Sequence, residues 1–268
     1  MGALGKAQRL KEWSEPLLTL RPRHSAALLL ASLVAGRAQA PSPQTWYNAP
    51  PRQTLTYQVD WRVFPGGTAV LHLEQDGDAE RVSVTGDTLG TINLLFRVSD
   101  RFQSSFSRSA GCSLSFSKQL IEGRRQVNSE EKFVYAQHKA LVDEKNLISH
   151  SHTTRQIDVP SCVTDPLSGM FYVASQPLTV GSSFHIPVAD SSRLTDVTLR
   201  VEARETIRTP LATYQTVRVQ PTAGAGVVKS RGNIWIWYTD DERHLPVQMR
   251  ASLFWGTITF RLISLEAK

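Results

Sequence analysis

From Leu55 onward the chain alternates apolar and polar residues with period two. Tyr57, Val59, Trp61 and Val63 interleave with Gln58, Asp60 and Arg62, the pattern of a strand with one buried face. Pro65-Gly66-Gly67 turns the chain, after which Ala69, Leu71 and Leu73 interleave with Val70, His72 and Glu74. Segments near 80–85, 99–107, 112–121 and 131–136 repeat the pattern more weakly. It sharpens again in Val197-x-Leu199-x-Val201-x-Ala203, Val247-x-Met249-x-Ala251-x-Leu253 and Ile258-x-Phe260-x-Leu262. One apolar and one polar face, repeated this often, predicts antiparallel sheet with a solvated side. Runs of about eight to ten residues are longer than the usual strand, which suits a strongly curved sheet or half-open β-barrel.

Two segments break the alternation. Asp165-Pro166 supplies a helix N-cap followed by Pro at the first helical position. Leu167, Met170, Phe171 and Ala174 then share one helical face, and Pro177 ends the run. A short helix over about 165–175 is therefore expected to pack on the concave side of the sheet. Thr91–Val98 is a weaker helix candidate, with Ile92, Leu95 and Phe96 on one face. The stretch Ile234-Trp235-Ile236-Trp237-Tyr238 is apolar on both faces, unlike its neighbours. One of its faces belongs to a closed core or lines an apolar cavity.

The N-terminal region reads as a signal peptide over residues 1–40. Basic residues ending at Arg21 and Arg23 precede an apolar run, Ala26–Ala35, and Ala38-Gln39-Ala40 fits a small-x-small cleavage site. Ten residues are too few to span a bilayer, which needs about twenty. No Cys follows the run, which argues against a lipoprotein anchor. Pro41, Pro43, Pro50 and Pro51 mark 41–53 as a linker or arm. Residues 54–268 are left as a single β-rich domain, and the expected location is the periplasm or cell envelope.

The chain has 30 basic and 24 acidic residues. Six of the basic and two of the acidic ones fall in 1–40, so the remainder is almost neutral. Its basic residues are scattered, with no stripe that would suit nucleic acid. Cys112 and Cys162 are the only cysteines. In an oxidising compartment they are expected to form a structural disulfide, with two free thiols as the alternative.

Candidate chemistry is thin, and no catalytic residue, metal site or cofactor is expected. Asp240-Asp241-Glu242 is an acidic cluster where a hairpin must turn, a position Asp favours for structural reasons. His150-Ser151-His152 lacks the further ligands a zinc site needs. Ser168 lacks the Gly-x-Ser-x-Gly elbow of a hydrolase and reads as a helix-surface serine. Cys112 and Cys162 have no CxxC spacing. Ala223-Gly224-Ala225-Gly226 lacks the Lys-Ser/Thr of a phosphate loop and reads as a turn.

Several short motifs occur in a fixed order. They are Tyr57-x-x-x-Trp61 with Gly67-Thr68-Ala69, Asp100-Arg101-Phe102, and Asp165-Pro166-Leu167-Ser168 with Pro177-Leu178-Thr179-Val180-Gly181. The last are Trp235-x-Trp237-x-x-Asp240-Asp241, Leu245-Pro246-Val247 and Gly256-Thr257-Ile258. Together, over roughly 54–265, they resemble a family of exported bacterial proteins, the domain of unknown function 3108. The resemblance implies a β-rich envelope protein with no assigned activity. More distantly, the meander looks like half-open β-barrels that carry lipids or lipoproteins across the periplasm, an analogy of fold alone. The expected function is non-catalytic binding of a lipid or acylated envelope molecule, with Trp61, Met170, Phe171, Trp235 and Trp237 as lining. The alternative is an assembly module that binds an envelope protein through a sheet edge.

Overall fold

The alternating segments become one antiparallel sheet. The computed structural model describes residues 50–191, 193–223, 232–253 and 256–268. The signal peptide, most of the arm, the Gly224–Gly226 turn and Phe254-Trp255 lie outside the described residues. The chain divides at residue 40, and only the second unit is described.

The first eight strands are β1 (Arg52–Trp61), β2 (Phe64–Asp76), β3 (Ala79–Thr88), β4 (Ser99–Ser107), β5 (Ser113–Glu122), β6 (Arg125–Val134), β7 (Lys139–Asn146) and β8 (Ser151–Asp158). After a long connection come β9 (Ser183–Ala189), β10 (Leu194–Arg208), β11 (Thr213–Thr222), β12 (Asn233–Thr239), β13 (Pro246–Leu253) and β14 (Gly256–Ala267). Each strand pairs with its neighbour in sequence, except that β8 and β9 form the two ends of the order and β1 pairs with β14. The sheet is thus a meander not closed into a barrel, with its seam between β8 and β9. Gly67 marks one close approach, since a Cβ there would lie 2.4 Å from the Asp87 carbonyl oxygen on β3.

The seam is covered by the β8–β9 connection. Val159 donates its N–H to the His138 carbonyl and Ser113 donates to that of Val163. Thr164 donates to Pro187, and Ala189 returns a bond to Thr164. The strap formed by 159–165 therefore stitches β9 to the far side of the sheet. The expected disulfide is present: Cys112, just before β5, is bonded to Cys162 on the strap, with Cα atoms 5.1 Å apart.

The strap leads into a helix, α2 (Pro166–Ala174), on the inner face of the sheet. Asp165 caps it, accepting from the Leu167 and Ser168 amides, while Ser168 Oγ accepts from the Asp165 amide. Phe171 stacks on Phe106 of β4 with ring centroids 6.0 Å apart. Tyr238 of β12 donates to the Met170 carbonyl at 3.1 Å. Leu55, Leu73, Val201, Val217 and Leu262 complete this larger core. A smaller core of Phe116, Phe133, Ala140, Val159, Val163 and Ala189 lies under the strap.

The second helix, α1 (Gly90–Leu95), is a short element in the β3–β4 connection. Its expected apolar face is not buried: only Ile92 is half-covered, while Leu95 and Phe96 are exposed.

Candidate functional site

Trp235 and Trp237 of β12 point to one face of the sheet, and Ile236 and Tyr238 point to the other, against α2. The closed-core reading holds on one side of this strand; the other side does not line an apolar cavity, because the residues around the tryptophans are mostly polar or charged. The Ile236–Tyr238 face is closed core. The tryptophan face floors an open groove of about 450 Å³, with walls formed by Glu202, Arg218, Gln220, Arg250 and Ser252.

Cross-strand register assembles this groove. Trp237 lies opposite Arg218 of β11, and Trp235 lies opposite Arg250 of β13. Arg218 donates to Glu202 at 2.7 Å and also to Glu205. Trp237 donates its indole N–H to Glu205 at 2.8 Å, and the ring is buried beneath this network. Trp235 is half-exposed. Arg250 is exposed and has no ion-pair partner among the described residues. The groove therefore offers an aromatic surface next to an uncommitted cation, with a Gln and a Ser for hydrogen bonding.

The inner face has a second cavity, lined by Tyr57, Leu71, Met170, Ile236, Met249 and Phe260 among others, of only about 70 Å³. Ligand sites typically have volumes of about 300–1,000 Å³, so α2 fills the inside of the sheet as a core element.

The expected lining residues are thus divided among different places. Trp235 and Trp237 meet in the outer groove, Met170 lines the small inner cavity, and Phe171 is core. Trp61, at the end of β1, is half-buried with the Arg62 guanidinium 5.6 Å from its ring centroid. Arg218 and Arg250 escaped sequence reasoning because each is an ordinary polar alternate in its own strand.

Other polar residues have structural partners. Ser168 is not a helix-surface serine: it is wholly buried, 2.8 Å from the Ser113 hydroxyl. Ser104 and Ser113 each donate to Asp165 at 2.6 Å. Burial pushes the Asp165 carboxyl above its ordinary range despite these bonds. Asp240 accepts from Arg204 at 2.7 Å. Asp241 accepts from Thr239 and Arg243; burial alone would raise its pKa, but these bonds bring it below the usual value. His150 sits in the β7–β8 turn, and His152 lies 2.7 Å from Asp143.

Glu131 of β6 is another buried carboxylate. It accepts from the Ser191 amide in the β9–β10 turn at 2.8 Å, and its second oxygen has no partner among the described residues. Lys118 donates to the Asp190 carbonyl and Arg155 to that of Ser191, so three strands grip one turn across the seam. Desolvation lifts Glu131 to about 7, with Ser191 hydrogen bonds pulling it down and the Asp165 charge adding to the rise. The folded protein therefore keeps this proton to about pH 7, while the unfolded chain releases it near 4.5. Its contribution to stability is complete below 4.5 and drains away as pH rises through 7, by about 3 kcal/mol on the linkage relation. Urea denaturation from pH 4.5 to 8 should show this slope in the parent and a flatter profile in Glu131→Gln.

Comparison with known proteins follows the fold. The family model described as "Protein of unknown function (DUF3108)" matches residues 56–263. No curated protein matches. Among solved structures, a β-barrel-like protein of domain of unknown function DUF1849 from Brucella abortus is similar, at 11% identity and a TM-score of 0.55. The alignment covers 82% of this chain and 99% of that one. A Bacteroides fragilis protein, provisionally designated exported and of YmcC-like fold, aligns with a TM-score of 0.36 and 8% identity over 83% of this chain and 98% of its own.

Proposed function

From the premise that this chain belongs to the DUF3108 family, we propose that it is a non-catalytic cell-envelope protein. Its ligand is an amphipathic, lipid-like molecule with an acidic head, bound in the outer groove. The observation that carries this reading is the pairing of half-exposed Trp235 with Arg250, which has no ion-pair partner among the described residues, in a groove of about 450 Å³. An apolar body stacks on the indole and gains from leaving water, while the head forms a charge-assisted bond to Arg250. Gln220 and Ser252 are placed to orient it. The export signal read from residues 1–40 supports the envelope location.

The test is fluorescence titration with a dansyl-labelled fatty acid, alongside native mass spectrometry of protein purified without detergent. Trp235→Ala and Arg250→Ala are each expected to weaken binding about tenfold, the scale of one aromatic anchor or one charge-assisted bond, with unchanged thermal melts. Trp237 is unsuited to this test because its ring is buried and its indole N–H bonds to Glu205, so its removal would disturb the fold around the groove as well as the groove itself. Unchanged affinity in both variants would sink the reading.

A second reading keeps one specific observation. β8 ends the sheet order with six of its eight residues exposed, so it presents an open edge for strand addition by an envelope protein. Capture of a protein partner that is lost in Thr154→Pro, with no fatty-acid binding in the parent, would favour it.

A further inference from the structure

The two ends of the β1–β8 half differ in chemistry. At one end lie the turns after β1, β3, β5 and β7; at the other lie those after β2, β4 and β6. Among the described residues, most of the large apolar side chains left in water are at the first end. Val63 is 80% exposed, Leu94 85% and Leu95 78%, with Phe64, Phe96 and Ile148 each more than half exposed. At the other end the exposed large apolar residues are Leu114 and Leu141, 41% and 37% exposed and just inside β5 and β7, and the turns themselves carry Asp78 and His138.

These turns form one surface. Leu89 donates its amide to the Gly66 carbonyl, tying the α1 segment to β2, and Gly123 donates to Arg97, tying it to the β5–β6 turn. Leu147 donates to Gln126, which places the β7–β8 turn beside the start of β6. The close fit is visible at Gly123, where a Cβ would lie 2.7 Å from the Phe96 ring. Charge at this end is predominantly basic. Arg97 and Arg124 are exposed and have no ion-pair partner among the described residues, whereas Glu122 is already neutralised by Arg125 and Asp87 by Arg101.

We propose that this end of the sheet docks the protein onto the surface of an anionic lipid bilayer, with Leu94 and Leu95 entering the headgroup boundary. Two features select this occupant. Exposed leucines at the tip of a short helix have nowhere apolar to go in water, and interfacial insertion removes that cost. Uncommitted arginines beside them match anionic headgroups, each adding attraction within a Debye length.

Vesicle flotation of the full chain tests it, using phosphatidylcholine alone and phosphatidylcholine mixed equally with phosphatidylglycerol. The parent is expected to float with the mixed vesicles. The bound fraction should fall about tenfold in Leu94→Asp/Leu95→Asp, the scale of withdrawing two apolar anchors. Arg97→Gln/Arg124→Gln should lose the preference for the anionic mixture. All variants carry the same residues 1–40, so differences report on this end alone. An environment-sensitive fluorophore on Leu95→Cys should shift to the blue with vesicles, while one on Leu211→Cys, in the β10–β11 turn, should not. Equal flotation of parent and Leu94→Asp/Leu95→Asp, or no shift at position 95, would overturn the proposal. Protection of the position-95 probe by an envelope protein but not by vesicles would overturn it in favour of a protein partner.

Discussion

Asp165→Ala is expected to lose about 4 kcal/mol of folding stability, the largest effect of any single substitution proposed for this chain. The loss has two parts. Removing the N-cap of α2 withdraws the acceptor from the Leu167 and Ser168 amides, worth about 1–2 kcal/mol. Removing the carboxylate also strands buried donors: Ser104 has no other acceptor among the described residues, and Ser113 loses its charged one. Each stranded buried group costs about 1–3 kcal/mol. Asp165→Asn, which keeps an acceptor oxygen, should lose about half as much on the same scale. Urea denaturation of the three proteins decides it. A loss below 1 kcal/mol in the alanine variant would show that α2 is held by apolar packing alone.

The second large effect should come from the disulfide. Cys112 and Cys162 are 50 residues apart, and opening a loop of that size costs about 4 kcal/mol on the chain-entropy model. For a chain of this length that corresponds to a fall of about 10 °C in melting temperature. Cys112→Ser/Cys162→Ser and the chemically reduced parent should agree. A fall of less than about 3 °C would mean that the backbone bonds of the strap to β5 and β9 suffice without the cross-link.

These predictions separate what the sequence made legible from what it did not. β10, β13 and β14 could be read directly because their inner residues are apolar and their outer ones polar, whereas β9 and β11 gave no comparable signal. The capped helix was equally plain, since Asp-Pro followed by i, i+3, i+4 spacing has few other realisations. β7 and β8 left no such trace, and β6 only a partial one. Their inward positions include the polar residues Ser129, Glu131, Glu144 and Arg155, of which Glu131 and Arg155 hold the β9–β10 turn, so neither face stood out.

The groove was half legible. Trp235 and Trp237 were seen to share a face, but the side on which α2 packs depends on register. Arg250 becomes a neighbour of Trp235 only through strand pairing. The polar alternation of β13 did hold a usable clue: Arg250 faces outward, so whatever lies opposite it on β12 must face outward too. Ser168 misled for a different reason. Small polar residues in a helix are usually solvated, and only the arrival of Ser113 from β5, 55 residues away, explains its burial.

The pairing of β1 with β14 sets an order of events. Leu55 lies opposite Leu265, so β1 finds one of its two partners only after β14 has been made. Hairpins β1–β8 and β9–β14 are local and form early, but the ladder joining them must close a loop of nearly the whole domain, a slow step for any chain. Until then β1 and β14 both present bare edges, the kind of template on which chains pair wrongly. The final joining step is therefore the point at which a holding chaperone has most to protect, and deleting β14 should yield aggregation-prone protein rather than a smaller fold.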